Sequence, residues 1–325
     1  EVNLKFNTVR EIISKLERYN LSDTSEDVKG IAFERFLGRT FRGDIGQFFT
    51  PRTIVEFMIR MVDPKESDII CDPASGSGGF LIRFFEIVRE QILADVDRQY
   101  QEYKKEIEKK SHSKKKQAEL LRKKYEQLQI QINPYASREG ASQTDTQKSR
   151  IWMLANACIY GCDANDRMAR TSKMNMIMHG DGHGGVHHHD GFINVNGIFE
   201  GRFKIVLTNP PFGANVESSD HVEESHYNVP DEVYRKYKAE YGSLYLEAIA
   251  KVRAAKGKPI LSLFKLPKEG GKMKTEILFM ERCLALLKPG GVLGIVLPEG
   301  IFNNPSLAYV REFCEDRAFI RAVIS

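Results

Sequence analysis

Short runs of consecutive apolar residues, each closed by a polar turn, alternate along this chain with longer stretches whose apolar residues recur every three or four positions. The first pattern is that of buried strands, the second that of helices packed by one face. Residues 68–71, 158–163, 203–207 and 292–297 read as strands, and 319–324 as a last one. Helical spacing runs through 1–45, first at Val9, Ile12, Ile13 and Leu16. It resumes there at Val28, Ile31, Ala32, Phe36 and Leu37, with Ser22, Thr24 and Ser25 as caps. It returns at 54–61, 81–93, 150–157, 166–178, 275–287 and 305–314. Lys288-Pro289-Gly290-Gly291 reads as a helix stop. Strand alternating with helix predicts an α/β fold, a doubly wound and mostly parallel sheet.

Two stretches break the alternation. Residues 95–149 are expected to form an insertion, a basic helical hairpin turning at Ser111-His112-Ser113. Its lysines suit DNA phosphates or a partner subunit, or simply a solvated face. Residues 213–272 are polar and irregular, with Tyr227, Tyr234, Tyr237, Tyr241 and Tyr245 set among charges. They are expected to form a loop on the side of a nucleic acid, where rings stack and cations meet phosphates. Within them, 244–252 alternatively reads as a packed helix. The expected organisation is therefore 1–45 as the tail of a helical domain and 46–325 as one α/β domain carrying both additions. Glu1 is not a start residue, and 319–324 has nothing after it to pair with, so both ends read as cut.

Composition narrows the class. The 325 residues carry a net charge of only +4 and 42% hydrophobic residues, enough for a sizeable core. No stretch is apolar enough to span a bilayer and no signal peptide opens the chain, so a cytoplasmic protein is expected. The five cysteines show no paired metal spacing, and alternation within 158–163 puts Cys158 and Cys162 on one face as small buried hydrophobes. His183, His187, His188 and His189 lie in a glycine-rich stretch without metal-ligand spacing. They read as a solvated loop, and no metal is expected.

The chemistry gathers at strand ends. Thr208-Asn209-Pro210-Pro211-Phe212-Gly213 follows an apolar strand and forms a stiff corner, since each proline ring fixes φ and removes a donor. The Asn209 side-chain oxygen and the Pro210 carbonyl are two acceptors side by side, and Phe212 adds a π face. Together they suit a planar aromatic amine. Asp72-Pro73-Ala74-Ser75-Gly76-Ser77-Gly78-Gly79 joins a strand to a helix as a nucleotide-type turn, yet no Lys-Ser/Thr follows the glycines. A carboxylate at the strand end disfavours a pyrophosphate and favours an ammonium, which points to S-adenosylmethionine. Asp163 ends the next strand, where an acid binds ribose hydroxyls. Asp181 stands at a further edge, within reach of an adenine amino group. Upstream, Thr50 reads as an N-cap with Pro51 as first helical residue, leaving N–H groups for a carboxylate.

Taken in order, Gly46 to Pro51, Asp72 to Phe80, Asp163, Asp181 and Asn209 to Phe212 resemble the gamma-type N6-adenine DNA methyltransferases. Asp27-Val28-Lys29-Gly30, Phe36-Leu37-Gly38, the Gln47-Phe48-Phe49-Thr50-Pro51 box and Leu287 to Gly291 look like the modification subunit of type I restriction–modification systems. The resemblance covers nearly everything outside 95–149. It implies an S-adenosylmethionine-dependent methyltransferase fold, S-adenosylmethionine as donor and adenine N6 in double-stranded DNA as acceptor. It also implies a specificity subunit and a restriction subunit as partners. By motif, it implies cofactor contacts from Gln47, Phe48, Phe49, Thr50 and Pro51 at the methionine end. Asp72 would meet the methionine amino group, with Pro73, Ser75, Gly76, Ser77 and Gly78 around it. Asp163 would hold the ribose and Asp181 the adenine of the cofactor. Asn209, Pro210, Pro211 and Phe212 would hold the target base. The alternatives are methyl transfer to RNA or to a protein glutamine, since both present an –NH2, and a non-catalytic scaffold.

Overall fold

The computed structural model describes residues 6–17, 50–110, 113–133, 148–180, 185–266 and 271–325. The chain divides into two compact units, Glu1–Phe48 with Met178–Gly180, and Phe49–Ile177 with Asp181–Ser325. The first contains helix α1, Phe6–Leu16, in which Lys15 pairs with Glu11 at 2.8 Å. The second helix expected there lies outside the described residues, as do Gln47, Phe48, Phe49 and Asp181.

Among the described residues the second unit has the strands β1 Ile70–Asp72, β2 Ile159–Asp163, β3 Val186–His188, β4 Phe203–Thr208, β5 Asn215–Val216, β6 Met273–Lys274 and β7 Leu287–Ile295. Five of them form one sheet in the order β3-β2-β1-β4-β7, every neighbouring pair parallel. β1 lies between β2 on one side and β4 on the other, so the winding reverses between β1 and β4. That reversal opens a crevice at the carboxyl ends of these strands. β5 and β6 pair antiparallel as a small separate ribbon.

The helices are α2 Arg52–Val62, α3 Gly79–Lys109, α4 Lys114–Ile132, α5 Arg150–Ala157, α6 Asp166–Met178, α7 Asp231–Tyr241, α8 Ser243–Ala254, α9 Thr275–Leu286, α10 Gly300–Asn303 and α11 Ala308–Glu315. Strand alternation sends side chains into two apolar layers. On one face Ile70, Ile159 and Ile205 pack with α2, α3 and α5 through Ile59, Phe84 and Leu154. On the other, Cys71, Tyr160 and Val206 pack with α9 and α11 through Leu278 and Val310. Among the described residues no helix is long and apolar enough to cross a membrane.

Several expectations need correction. The helix after the glycine turn does not end near residue 93 but runs unbroken to Lys109. No Gly or Pro interrupts it after Gly79, and Val96 and Ile107 keep its apolar stripe buried while the charges point outward. α4 folds back on it. Tyr100 and Tyr125 meet edge to face at 5.8 Å, Lys124 lies 5.7 Å above the Tyr103 ring, and Ser113 caps α4 through Lys116 N.

Cys158 and Cys162 do not share a face. Cys158 caps α5, ahead of β2, and joins the α3 layer, whereas Cys162 joins the opposite one. The loop expected around His187 is strand β3. Burial pushes His187 down to about 3, leaving its ring neutral with Nδ1 beside the Asn196 amide. Among the described residues no group of three His, Cys, Asp or Glu side chains is placed to hold a metal ion.

The stretch 213–272 is ordered mainly by α7 and α8. Its tyrosines pack on one another instead of standing free for base stacking: Tyr237 and Tyr245 are buried, and Tyr237 stacks on Tyr241 at 6.0 Å. Tyr234, Tyr237 and Tyr241 fall three and four apart on one stripe of α7, which faces inward, and Tyr245 meets Tyr234 and Tyr237 from α8. The Arg202 guanidinium sits 3.9 Å from the Tyr160 ring and 4.5 Å from that of Tyr241, anchoring this pair of helices to the sheet. The helix expected to stop before Lys288-Pro289-Gly290-Gly291 does end at Leu286, and β7 follows at once from Leu287, so these four residues lie in a strand and not in a loop. Residues 319–324 form no strand, and Phe319 is fully exposed.

Candidate functional site

Three polar residues of the predicted site stand at the ends of three adjacent strands: Asp163 closes β2, Asp72 closes β1, and Asn209 directly follows β4. By the registers Asp72↔Gly161 and Cys71↔Val206, Asp163 and Asn209 stand level with each other, each two residues beyond Asp72 along the strands. Two strand spacings separate the outer members, about 10 Å. The row lies across the point where the winding reverses.

The glycine turn is tied to this row by its backbone. Ser75 N donates to Cys162 O at 2.9 Å, Gly76 N to Asp163 Oδ2 at 2.9 Å, and Gly78 N to Ser75 O at 2.7 Å. Asn175 on α6 donates from Nδ2 to Ser77 O at 3.0 Å. Gly76 and Gly78 take positive φ, 51° and 85°. Around Gly76 a Cβ would meet nothing within 4 Å, so the turn borders open space. At Gly78 a Cβ would stand 2.6 Å from Ser172 Oγ. Gly78→Ala is therefore expected to lower stability by about 2 kcal/mol, from left-handed strain plus the clash. Combining it with Ser172→Ala should recover part of that loss; thermal unfolding of the single and double variants checks it.

Asp72 is buried, and its Oδ1 accepts a hydrogen bond from Ala74 N at 3.1 Å. Burial pushes its carboxyl up to about 7, opposed by the Thr208 hydroxyl and the Ala74 N–H, with Asp163 adding to the rise. Asp163 is half-buried and accepts Gly76 N and Asn165 N on its two oxygens, 2.9 and 2.8 Å. Burial raises its carboxyl too, against those two bonds and the nearby His188. A carboxylate has about four acceptor sites, so each retains room for a ligand donor.

Asn209 is half-buried. Its Nδ2 donates to Thr50 Oγ1 at 3.0 Å, while its Oδ1 is shielded from water and meets no hydrogen-bond partner among the described residues. An orphan acceptor of this kind costs about 1–3 kcal/mol. Pro210 is buried, Pro211 is exposed, and the Phe212 ring is 47% exposed. The corner thus holds a shielded oxygen without a partner among the described residues and, three positions on, a half-exposed aromatic ring.

Thr50 does not cap α2. Pro51 holds the N-cap position with φ −54° and ψ 138°, its carbonyl accepting Ile54 N and Val55 N, and Arg52 is the first helical residue. The Thr50 hydroxyl is instead directed to Asn209, more than 150 residues away.

The start of α9 also reaches the corner, which the sequence pattern did not suggest. Thr275 Oγ1 donates to Pro211 O at 2.9 Å and Gly213 N donates to Glu276 Oε2 at 3.1 Å. Thr275 and Glu276 open an apolar helix and look like ordinary first-turn residues. No local signal marks partners some 60 positions upstream.

A parallel sheet wound both ways from β1, with a glycine turn and a row of polar groups along its carboxyl edge, is the fold of S-adenosylmethionine-dependent methyltransferases. A putative class I enzyme of that kind from Listeria monocytogenes superposes with a TM-score of 0.52 at 15% identity, over 97% of this chain and 67% of its own. The modification subunit of a putative type I restriction enzyme from Vibrio vulnificus YJ016 gives 0.50 at 20% identity, over 94% and 46%. The N-6 DNA Methylase family model matches residues 24–133 and 142–265, and the chain belongs to that family. The EcoEI methylase subunit of the type I restriction enzyme from Escherichia coli is 28% identical over 301 residues, 91% of this chain and 48% of that subunit. The MjaVIII methylase subunit from Methanocaldococcus jannaschii is 33% identical over 76 residues, 23% of this chain and 13% of that subunit. The chain spans about half the length of the EcoEI subunit.

Proposed function

We propose that this chain transfers a methyl group from S-adenosylmethionine to the N6 amino group of adenine in DNA, as part of a type I modification subunit. The observation that carries the reading is the shielded Oδ1 of Asn209, without a partner among the described residues, three positions before the half-exposed Phe212 and along the strand ends that carry Asp72 and Asp163. Partners of the assembled enzyme are double-stranded DNA, a specificity subunit that reads sequence and a restriction subunit, acting in the cytoplasm. The type I relatives and the family match support that assignment over RNA or protein glutamine as acceptor.

The residues fit the cofactor. Gly76 borders open space, Asp72 has a carboxylate oxygen to offer an ammonium, and Asp163 keeps lone pairs for hydroxyls after binding Gly76 N and Asn165 N. When bound, S-adenosylmethionine supplies an electrophilic methyl group on sulfur. Gln47, Phe48, Phe49, Thr50 and Pro51 are assigned to its methionine end, Pro73, Ser75, Ser77 and Gly78 to the turn around it, and Asp181 to its adenine.

Asn209 Oδ1 accepts one N6 hydrogen of the target base and the Pro210 carbonyl the other. Both bonds draw the nitrogen lone pair out of the ring and aim it. A neutral amide is not basic, so Asn209 orients the amine without removing its proton, which leaves to solvent. The base must first swing out of the duplex, at a cost of a few kcal/mol, and stacking on Phe212 offsets part of it. Residues 213–272, which leave this corner directly, are assigned to the DNA side, and 1–45 to the tail of a helical domain.

Labelled-methyl incorporation offered in parallel to DNA, RNA and protein tests the assignment. Label in DNA, lodged at N6, is the expected result; label confined to RNA or protein overturns it. Thr50→Val removes the group that holds the Asn209 amide. It is expected to lower the transfer rate about tenfold, the worth of one lost hydrogen bond. Thr50→Ser should retain it in the same assay.

A further inference from the structure

The corner after Phe212 is pinned by a set of contacts that comes wholly from one side. Thr275 Oγ1 donates to Pro211 O at 2.9 Å, ahead of Phe212, and Glu276 Oε2 accepts Gly213 N at 3.1 Å, just behind it. Thr275 N donates to Ala214 O at 3.1 Å and Lys274 Nζ to Gly213 O at 2.7 Å. The β5–β6 ribbon then locks Asn215 and Val216 against Lys274 and Met273. Glu276 is buried, 6% exposed, and its other near contact is the Thr275 hydroxyl at 3.3 Å. Gly213 holds φ 79°. The Phe212 side chain, by contrast, is 47% exposed, so packing around the ring does little to aim it. Its direction follows from the backbone on either side.

We propose that Thr275 and Glu276 are positioning residues for the base clamp. They hold the peptides flanking Phe212 so that the ring stands as a fixed stacking face, in register with Asn209. The proposal rests on the reading of Asn209 to Phe212 as the target-base site. Asn209 is aimed by Thr50 from the α2 side, and Phe212 by Thr275 and Glu276 from the α9 side. The two halves of the clamp therefore fail separately. Loss of the Glu276 anchor should disturb the aromatic half and leave the row of Asp72, Asp163 and the glycine turn intact. A mere packing role for Glu276 would respond to volume. An anchoring role responds to whether the side chain still carries an acceptor, and Gln retains one.

The test compares wild type, Glu276→Ala, Glu276→Gln, which keeps volume and acceptor, and Glu276→Met, which keeps the volume without the acceptor oxygen, in two measurements. The first is amide hydrogen exchange over 209–216, made without DNA. The second is labelled-methyl transfer to DNA with kcat and KM separated, alongside S-adenosylmethionine affinity. For Glu276→Ala, exchange at Gly213 should quicken about tenfold and kcat should fall about tenfold, with cofactor affinity unchanged. Glu276→Gln should restore both and Glu276→Met neither; recovery in Glu276→Met would mean that the residue only fills space and overturns the proposal. Wild-type exchange or wild-type kcat in Glu276→Ala overturns the proposal, and so does an equal loss in Glu276→Gln. If Glu276→Ala does not fold, Thr275→Val keeps the volume and removes the bond to Pro211 O; the same pattern is expected, and unchanged exchange and kcat there overturn the proposal. A wild-type chain that labels no DNA counts against the clamp reading itself, while exchange still decides whether Glu276 holds Gly213.

Discussion

Asn209→Ala is expected to reduce methyl transfer to DNA by about a thousandfold while leaving S-adenosylmethionine affinity unchanged. The magnitude is that of removing one preorganised polar group from a site where charge develops. The separation of effects follows from placement: Asn209 stands beyond β4, whereas the groups assigned to the cofactor stand at the ends of β1 and β2. Without Oδ1 the amine keeps its lone pair spread into the ring, and the Pro210 carbonyl alone cannot aim it. The same substitution removes a shielded acceptor without a partner among the described residues and breaks the Nδ2–Thr50 bond, two changes of opposite sign and about 1 kcal/mol each, so folding stability should change little. A melting temperature that falls by many degrees would mean that Asn209 is a structural residue, and the clamp would lose its central member. Single-turnover transfer, cofactor calorimetry and thermal unfolding on one preparation decide the matter.

For Asp72 the largest effects run in opposite directions for stability and binding. Burial raises its carboxyl from 3.8 to about 7 in the folded chain. A folded carboxyl that holds its proton more tightly than the unfolded one contributes stability that is full below about pH 4. That contribution is lost as pH rises through about 7, up to about 4 kcal/mol in all. Asp72→Asn cannot ionise, so it should flatten this slope and raise the melting temperature at pH 8. Binding has the reverse sign, because the ammonium of the ligand needs the ionised carboxylate. Affinity of the wild type should climb about tenfold per unit from pH 5.5 to 7 and level off above it. Calorimetry in buffers of different ionisation heat should show a proton released on binding near pH 6. Asp72→Asn should bind at least tenfold more weakly at pH 7.5, with no such release. Unchanged affinity in that variant would remove Asp72 from the cofactor site.

Several elements of the candidate site are legible in the sequence alone. Strand-ending acids, a glycine turn and a proline corner are local patterns, since each depends on the conformations its own residues allow. They also mark the carboxyl edge of the sheet whatever the strand order. The differences share one cause, the side on which the core lies. Residues 81–109 stay one helix in spite of their charge because the apolar stripe faces inward throughout. Strand alternation does not reach Cys158, because the chain is still leaving α5 there. Tyrosine spacing suits an inward stripe as well as an exposed one, and on α7 it is inward.

By itself, the sequence determined the alternation of strands and helices, the stiffness of the corner at Asn209 and which acids end strands. Those features follow from backbone restriction and periodicity, which act over a few residues. Tertiary structure decided the strand order, which brings β1 and β4 side by side and so sets Asp72 near Asn209. It also decided that Thr50 turns from its own helix to hold the Asn209 amide, and that Thr275 and Glu276 brace Phe212 from behind. Such contacts join residues tens to more than a hundred positions apart. No local propensity encodes them, because their partners become neighbours only when the sheet has closed.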